Sequence, residues 1–521
     1  MSYVIDKITG KDKRDRQRRE AEAAARAAAE RAAEAAREQE RLIAEQAAKD
    51  ARDASIAASV ASRLLVNRSS NNASIPVIYG THRIGGTRVY VETSNGNGTV
   101  DNTPTGNEFF NMIIVIAEGW TGIPKQVLFG DVRVWEHNSY GGGATGNYSE
   151  SNGAYSLNGF QSGNEYSGAE ISINYHDGRD SQTVDTMIQN SVGSGADRWP
   201  STAKLGGVAY FSIKLKANAD AYAGGVPVIT VVVQGKTILM VSALTPGLTN
   251  PEDNVPAYYT VGDSQNPADV IYDYLVSTRY GKGLDHKPDG SYYAGLDIDL
   301  ESFKAARIHY ASANGGSGIK FNGVIPTAAR IYNNVEMLTL SCNSSLVYSA
   351  GKYKLVPRKQ GETSVFEFNK DNILGPVSIS KPTKTGMYNK ITSGYVDSSP
   401  ALNYVDNVEV TYIGNDGTNY LDEDNGTVLE SKVDYQMTTN PAYVSRLNKY
   451  RIDNSRYQTS ASFIANHQAL KVECGDIVKI VQEDLGWDSA ANKLFRVLEI
   501  TFQQGNTFEF ICTEYESSIQ I

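Results

Sequence analysis

Between Lys11 and Ser74 the chain holds neither Gly nor Pro, and residues 20–62 are dominated by Ala, Glu and Arg. Ala is the strongest helix former, and the long charged side chains follow it closely. Pairs such as Glu22–Arg26 and Glu45–Lys49 lie four residues apart and add modest support. The pattern predicts one helix from about residue 11 to 66, roughly 80 Å long at about 1.5 Å per residue. Ala47, Ala51, Ala54, Ala58, Ala61 and Leu65 follow the alternating three–four spacing of a coiled-coil seam. A seam of small residues implies close packing against another helix; the alternative is a single exposed helix held by charge pairs.

After a polar linker at Arg68–Ser74 the pattern shifts to short alternating or wholly apolar runs broken by Gly-rich turns. Strands are expected in Ile75–Tyr79, Arg88–Glu92, Asn111–Ala117, Ala209–Lys216 and Val226–Val233. Gly130-Asp131 reads as a hairpin turn between Gln126–Phe129 and Val132–Glu136. Residues 138–168 are Gly-, Asn- and Ser-rich and low in apolar content, so they read as a projecting loop with little core of its own. A mixed section follows. Pro267–Thr278 places Val270, Ile271, Tyr274 and Leu275 on one helical face, and Asp299–Tyr310, Pro326–Leu340 and Ala442–Ile452 are further helix candidates. Strand patterns return after Cys342, with Val408–Tyr412 a short β-branched run. They end in Asp476–Val481, Phe495–Ile500 and Thr507–Cys512, close enough together for a small barrel. The expected organisation is residues 1–68 as a basic arm and long helix, and 69–260 as a first β-region with a Gly/Asn/Ser-rich insertion near 138–204. Residues 261–360 form a mixed α/β region, and 361–521 a C-terminal β-barrel region. The fold class is mainly β with α+β parts: several linked β-barrel-like domains preceded by one long N-terminal α-helix.

At 521 residues the chain is too long for one ordinary core. Its formal charge of −10 is uneven: seven basic against three acidic residues in 1–19 give +4 there and leave −14 for the rest. An acidic body argues against a protein whose main task is gripping nucleic acid. The 31 Tyr and 47 Gly suit strands, turns and wet protein–protein contacts. Cys342, Cys474 and Cys512 are odd in number and widely spaced, which fits buried small apolar residues rather than a disulfide framework. There is no signal-peptide pattern and no apolar run long enough to span a membrane.

Candidate chemistry is sparse. The six His (His82, His137, His176, His286, His309 and His467) never fall within five residues of one another, so no helical metal pair arises. No G-x-S-x-G occurs, and Gly141–Gly143 and Gly315-Gly316 lack the Lys-Ser/Thr of a phosphate loop. Two acidic clusters, Asp422–Asp424 and Asp297/Asp299/Glu301, resemble calcium loops only in part, because neither has the closing Glu. A solvated turn or a helix N-terminus is the better reading of both. No catalytic, cofactor-binding or metal-binding residue is singled out, and no cofactor is expected.

Several stretches taken together resemble the hub portion of the lambda-type tail tip attachment protein J family of siphophages. They are Ile75-Pro-Val-Ile-Tyr-Gly80 with Arg83-Ile-Gly85-Gly86, and Asn266-Pro-Ala-Asp-Val-Ile-Tyr-Asp-Tyr-Leu275 with Arg279-Tyr-Gly281-Lys-Gly283. Leu338–Lys354 and Tyr395-Val-Asp397 with Val408-Glu-Val-Thr-Tyr412 follow. The last is Cys474-Gly-Asp-Ile-Val478 with Phe495-Arg-Val497 and Glu514-Tyr515. The resemblance implies a non-enzymatic, structural baseplate hub in the phage tail tip. Such a hub closes the distal end of the tube as a homotrimer and opens for DNA passage without specific binding. Its implied partners are the distal tail protein, other tail tip proteins, the tape-measure protein and a tail fibre. The family's larger members continue into receptor-binding segments; this sequence stops at Ile521, just after the last hub-like stretch. The alternative is a tail-associated protein that binds or cleaves host glycans, suggested by the Tyr content and the Gly/Asn-rich loops. The lack of an identifiable carboxylate pair argues against cleavage.

Overall fold

The computed structural model describes the chain from Asn67 to Ile519, apart from 70–72, 96–107, 141–145, 152–153, 193–197, 218–219, 223–224, 250–258, 261–263, 382–385, 399–404, 415–416, 489–492 and 504. The helix expected over residues 11–66 lies outside the described residues.

The first β-region is built on Phe109–Glu118, a run of ten residues that is apolar at almost every position. Such a run needs cover on both faces, and it has it. Met112, Ile114 and Ile116 join a core with Phe129, Trp135, Tyr175, Phe211 and Val231. Ile113 and Val115 pack with Ile188 and Val192 of the short helix Thr186–Val192. The strand is central in a seven-stranded sheet whose order is Arg68–Ser69, Thr87–Ser94, Phe109–Glu118, Val208–Lys216, Ile171–Asp177, Ala154–Asn158, Asn147–Ser151. A four-stranded sheet, ordered Thr81–Ile84, Ile229–Gln234, Pro124–Phe129, Val132–Glu136, contributes the other side of the core. The turn at Gly130-Asp131 is as the pattern predicts, with Gly130 at φ 60°.

Residues 138–168 depart from the expectation of a coreless loop. Asn147–Ser151 and Ala154–Asn158 pair as a hairpin and extend the seven-stranded sheet. Tyr155 and Leu157, two residues apart, are buried in the first core, and the Trp135 indole donates to the Asn158 carbonyl at 2.8 Å. Two apolar side chains at a period of two suffice when the strand joins the edge of a sheet that already exists.

In the middle of the chain, the helix Pro267–Val276 starts where its sequence says it should. Asn266 caps it, accepting from the Ala268 amide, and Pro267 occupies the first turn. The sequence assigned one buried face, yet all ten residues are buried. The helices Leu300–Ser312 and Ile331–Ser341 pack against it, and the hairpin Ser344–Ser349/Lys352–Pro357 packs on those two helices. The second of these helices begins five residues after the Pro326 start that the pattern suggested.

The central core draws on all three parts of the chain beyond residue 68. Val77 and Tyr79 enter from the first, Tyr272, Phe303 and Leu338 from the second, and Tyr395, Tyr435, Tyr443 and Leu447 from the third. The strand Gly323–Ile325 pairs with Val77–Tyr79, joining segments about 245 residues apart in sequence. Gly80 is required at that junction: its φ is +66°, and a Cβ there would lie 2.1 Å from the Phe321 carbonyl oxygen.

Towards the C-terminus a six-stranded sheet runs Phe366–Phe368, Ile477–Ile480, Leu494–Gln503, Thr507–Glu514, Ser460–Ala465, Ile373–Ser380. Its core gathers Phe368, Phe463 and Phe510, with ring centroids 4.7–5.7 Å apart. A three-stranded sheet, Val405–Thr411, Lys390–Asp397, Glu430–Tyr435, packs against the helix Pro441–Asn454. The fold is mainly β with several sheets. Among the described residues no sheet closes fully in its strand order, and the barrel character suggested by strand spacing is present only in part, as one half-barrel. Closure needs hydrogen bonds between first and last strands, which strand spacing alone does not specify.

Candidate functional site

Two features stand out among the described residues: a buried polar junction at the central helix and a set of exposed apolar sheet surfaces. Asp269 and Asp273 lie one turn apart on the helix Pro267–Val276 and are both buried. Asp269 accepts from the Val241 amide at 2.8 Å and pairs with Arg307 at 3.0 Å. Asp273 accepts from the Lys236 ammonium at 2.8 Å, from the Tyr79 hydroxyl at 2.5 Å and from the Tyr280 hydroxyl at 2.6 Å. The Lys236 ammonium also donates to the Tyr280 oxygen at 2.6 Å.

These distances fix the electrostatics. Burial alone would pull the Lys236 ammonium down, but the Asp273 carboxylate and the Tyr280 phenol more than reverse it, so its pKa is raised. Burial, then Asp273, pushes the Tyr79 phenol well above its usual value. The junction is centred on the Lys236–Asp273 ion pair. Each of its charged groups is engaged by another, which suits a fastener between the first β-region and the central helices.

Asp285, fully buried, accepts from the Tyr272 hydroxyl at 2.7 Å and from the Gly295, Asp297 and Ile298 amides at 2.9, 2.8 and 3.1 Å. Sequence reasoning missed it, because a lone Asp between Leu284 and His286 gives no sign of the loop that wraps it.

Members of both acidic clusters are engaged within the fold. Asp299 caps the helix Leu300–Ser312, and Asp297 accepts from the Asp285 amide at 2.9 Å. Asp424 accepts from Arg456 and Asn389, both at 2.7 Å. The six His are not brought together. His176 pairs with Asp185 at 2.8 Å and stacks on Tyr210 at 4.2 Å, a site no sequence signal marked. His82 is buried, which lowers its pKa to about 4 against the raising effect of its bond to the Arg83 carbonyl. All three Cys are free. Burial pushes the Cys342 thiol up to about 11 and the Cys512 thiol up to about 12, while Cys474 is only half-buried. Among the described residues, no group of three His, Cys, Asp or Glu is placed to hold a metal ion, and no helix is long and apolar enough to cross a membrane.

Among the described residues, two exposed apolar sheet surfaces lie in the C-terminal part. Val405–Thr411 is an edge strand, and its outward alternation presents Val408, 60% exposed, then Val410 and Tyr412. The opposite edge of the same sheet carries Glu430 and Lys432, charges that discourage strand addition. The last hairpin exposes Leu498, Ile511 and, near its tip, Phe502 at 75%. An edge strand with apolar side chains facing water is a template for another chain.

No protein-family model matches the chain, and no curated protein matches it in sequence. Among solved structures, a chain of the virion of a native gene transfer agent particle matches at a TM-score of 0.55 with 12% identity, covering 88% of both chains. That likeness shows the fold. Two looser matches are the 43 kDa tail protein of prophage MuSo2 from Shewanella oneidensis and the tail protein from Neisseria meningitidis MC58. Their TM-scores are 0.27 and 0.28, at 11% and 9% identity. Each covers 86% of this chain, and 100% and 98% of theirs.

Proposed function

We propose that this chain is a structural protein of a phage-type tail, the hub that closes the distal end of the tail tube as a homotrimer in the virion. The observation that carries the proposal is the fold it shares, over 88% of its length, with a chain of a gene transfer agent virion. The order of its resemblances to the J-type hub over residues 75–515 points the same way. In this reading the junction around Asp273 holds the hub domains in one orientation. The exposed edge at Val408 and the hairpin face at Leu498 meet other copies or neighbouring tail proteins. The partners are the distal tail protein, other tail tip proteins and a tail fibre, with DNA passing through without specific binding. Residues 11–66, with their Ala seam, are proposed to meet around the tail axis or to dock on the tape-measure protein.

The test is copy number. Quantitative mass spectrometry of purified particles carrying this chain should return three copies per tail; its absence from the particle, or six or more copies, would overturn the proposal. Particles carrying Ala51→Glu, Ala54→Glu and Ala58→Glu together should fail to assemble tails, and normal infectious yield removes the N-terminal segment from assembly.

A further inference from the structure

A cavity of about 410 Å³ opens where the loop after the helix Leu300–Ser312 meets the start of the helix Pro441–Asn454. That volume is in the range of small-molecule sites. Ser317, Lys320 and Asn322 line one side, and Ser398, Thr439 and Asn440 the other. No lining residue is acidic. The one aromatic ring among them, Tyr443, is 2% exposed and offers almost no face for stacking. The walls are held in place. Asn322 donates to the Thr439 hydroxyl at 3.3 Å and accepts from the Thr81 amide at 2.9 Å, and the Ser398 hydroxyl donates to the Thr439 carbonyl at 3.4 Å.

The charge at the cavity runs against that of the chain, which is −10 overall. Lys320 is exposed there and has no carboxylate partner among the described residues. The Arg446 guanidinium stands behind the wall, donating to Asn314 at 3.1 Å. The helix Pro441–Asn454 directs its N-terminal end towards the same space and adds positive potential, although Pro441 lacks an amide hydrogen and the Tyr443 amide is taken by Asn440. Hydroxyls and amides with one uncompensated cation, in a lining more polar than apolar, select a ligand that is mainly polar and anionic at one end.

We propose that this cavity binds a sugar-sized polyol bearing one phosphate or carboxylate. Lys320 pairs the anion, and the Ser, Thr and Asn side chains take the hydroxyls. The inference stands apart from the tail proposal, since it concerns what the folded chain binds rather than where the chain is built in.

Isothermal titration of the full chain with glucose 6-phosphate, glucuronic acid, glucose and inorganic phosphate tests it. Saturable binding of the two acidic sugars is expected, tighter than either glucose or phosphate alone. Lys320→Gln should weaken it about tenfold or more, the loss of one charge-assisted bond. Ser317→Trp should abolish it by filling the mouth. Both positions are exposed, and unchanged melting temperatures for the two variants show that the fold is kept. No saturable binding by the wild type, glucose binding as well as glucose 6-phosphate, or either variant titrating like the wild type would overturn the proposal. Competition by a phosphodiester-linked envelope polyol places the ligand on a cell surface, and competition by monosaccharide phosphates alone places it among free metabolites.

Discussion

Asp273 shows how much a single buried carboxylate can organise. It gathers one ammonium and two phenols from segments 37 and 194 residues back and 7 residues ahead. Removing the carboxylate charge leaves Lys236, 19% exposed in its side chain, without its counter-ion. Asp273→Asn is therefore expected to destabilise the protein by about 3 kcal/mol, while Tyr79→Phe, which deletes one donor, costs about 1 kcal/mol. Urea unfolding midpoints distinguish them, and equal effects would mean that the ion pair does not dominate the junction. His82 makes a prediction about pH. Its folded pKa of about 4 lies below the usual 6.5, so folding favours the neutral ring. Its contribution is intact above pH 6.5 and is lost as pH falls from 6.5 towards 4, a total of about 3 kcal/mol. In His82→Gln the fall in stability between pH 7 and pH 4.5 should be visibly shallower than in the wild type. Parallel pH profiles would assign the acid sensitivity to other groups.

At the scale of elements, the hairpin Asn147–Ser151/Ala154–Asn158 and the edge strand Val405–Thr411 make opposite predictions. The hairpin looks dispensable in sequence but places Tyr155 in the first core, its ring 5.8 Å from that of Tyr175. Tyr155→Ala should cost about 3 kcal/mol, read as a lower melting temperature, because a large buried ring leaves a cavity. An unchanged melting temperature would return the segment to the status of a loop. The edge strand is well formed in the monomer yet faces water with Val408 and Val410. Val408→Lys with Val410→Lys should leave melting within about 0.5 kcal/mol of the wild type. The same pair should reduce self-association in sedimentation or incorporation into particles; an unchanged assembly would clear this edge of any contact role. Some elements were legible because local rules suffice. Asn266-Pro267 announces the start of a helix, and Gly130-Asp131 announces a turn. The extent of burial was not legible, since the polar face of Pro267–Val276 is covered by Lys236 and Arg307 arriving from elsewhere.

For the whole molecule, the central core decides how the chain divides. A cut at residue 360 looks natural in sequence, where a mixed section gives way to strands. It would strip Tyr395, Tyr435, Met437, Tyr443, Val444 and Leu447 from the core they share with Tyr272 and Phe303. Residues 361–521 expressed alone should expose that surface and bind a hydrophobic dye or aggregate; a soluble, dye-silent fragment with cooperative melting would show an independent domain. The −14 balance outside residues 1–19 also predicts that any channel lined by this chain is acidic or neutral rather than basic, a surface over which DNA moves without sticking.

What the sequence determined by itself is local: which stretches form strands and helices, which Gly and Asn residues punctuate them, and that the chain is mainly β. Period, capping and turn chemistry act over a few residues, so a single sequence records them directly. What the tertiary structure decided is partnership. The pairing of Val77–Tyr79 with Gly323–Ile325, the gathering of Asp273 with Lys236, and the open order of the C-terminal sheets join segments dozens to hundreds of residues apart. Loop-closure entropy grows only slowly with the intervening length, so the chain can choose any of many distant partners. The choice falls to packing and burial, which no short pattern carries.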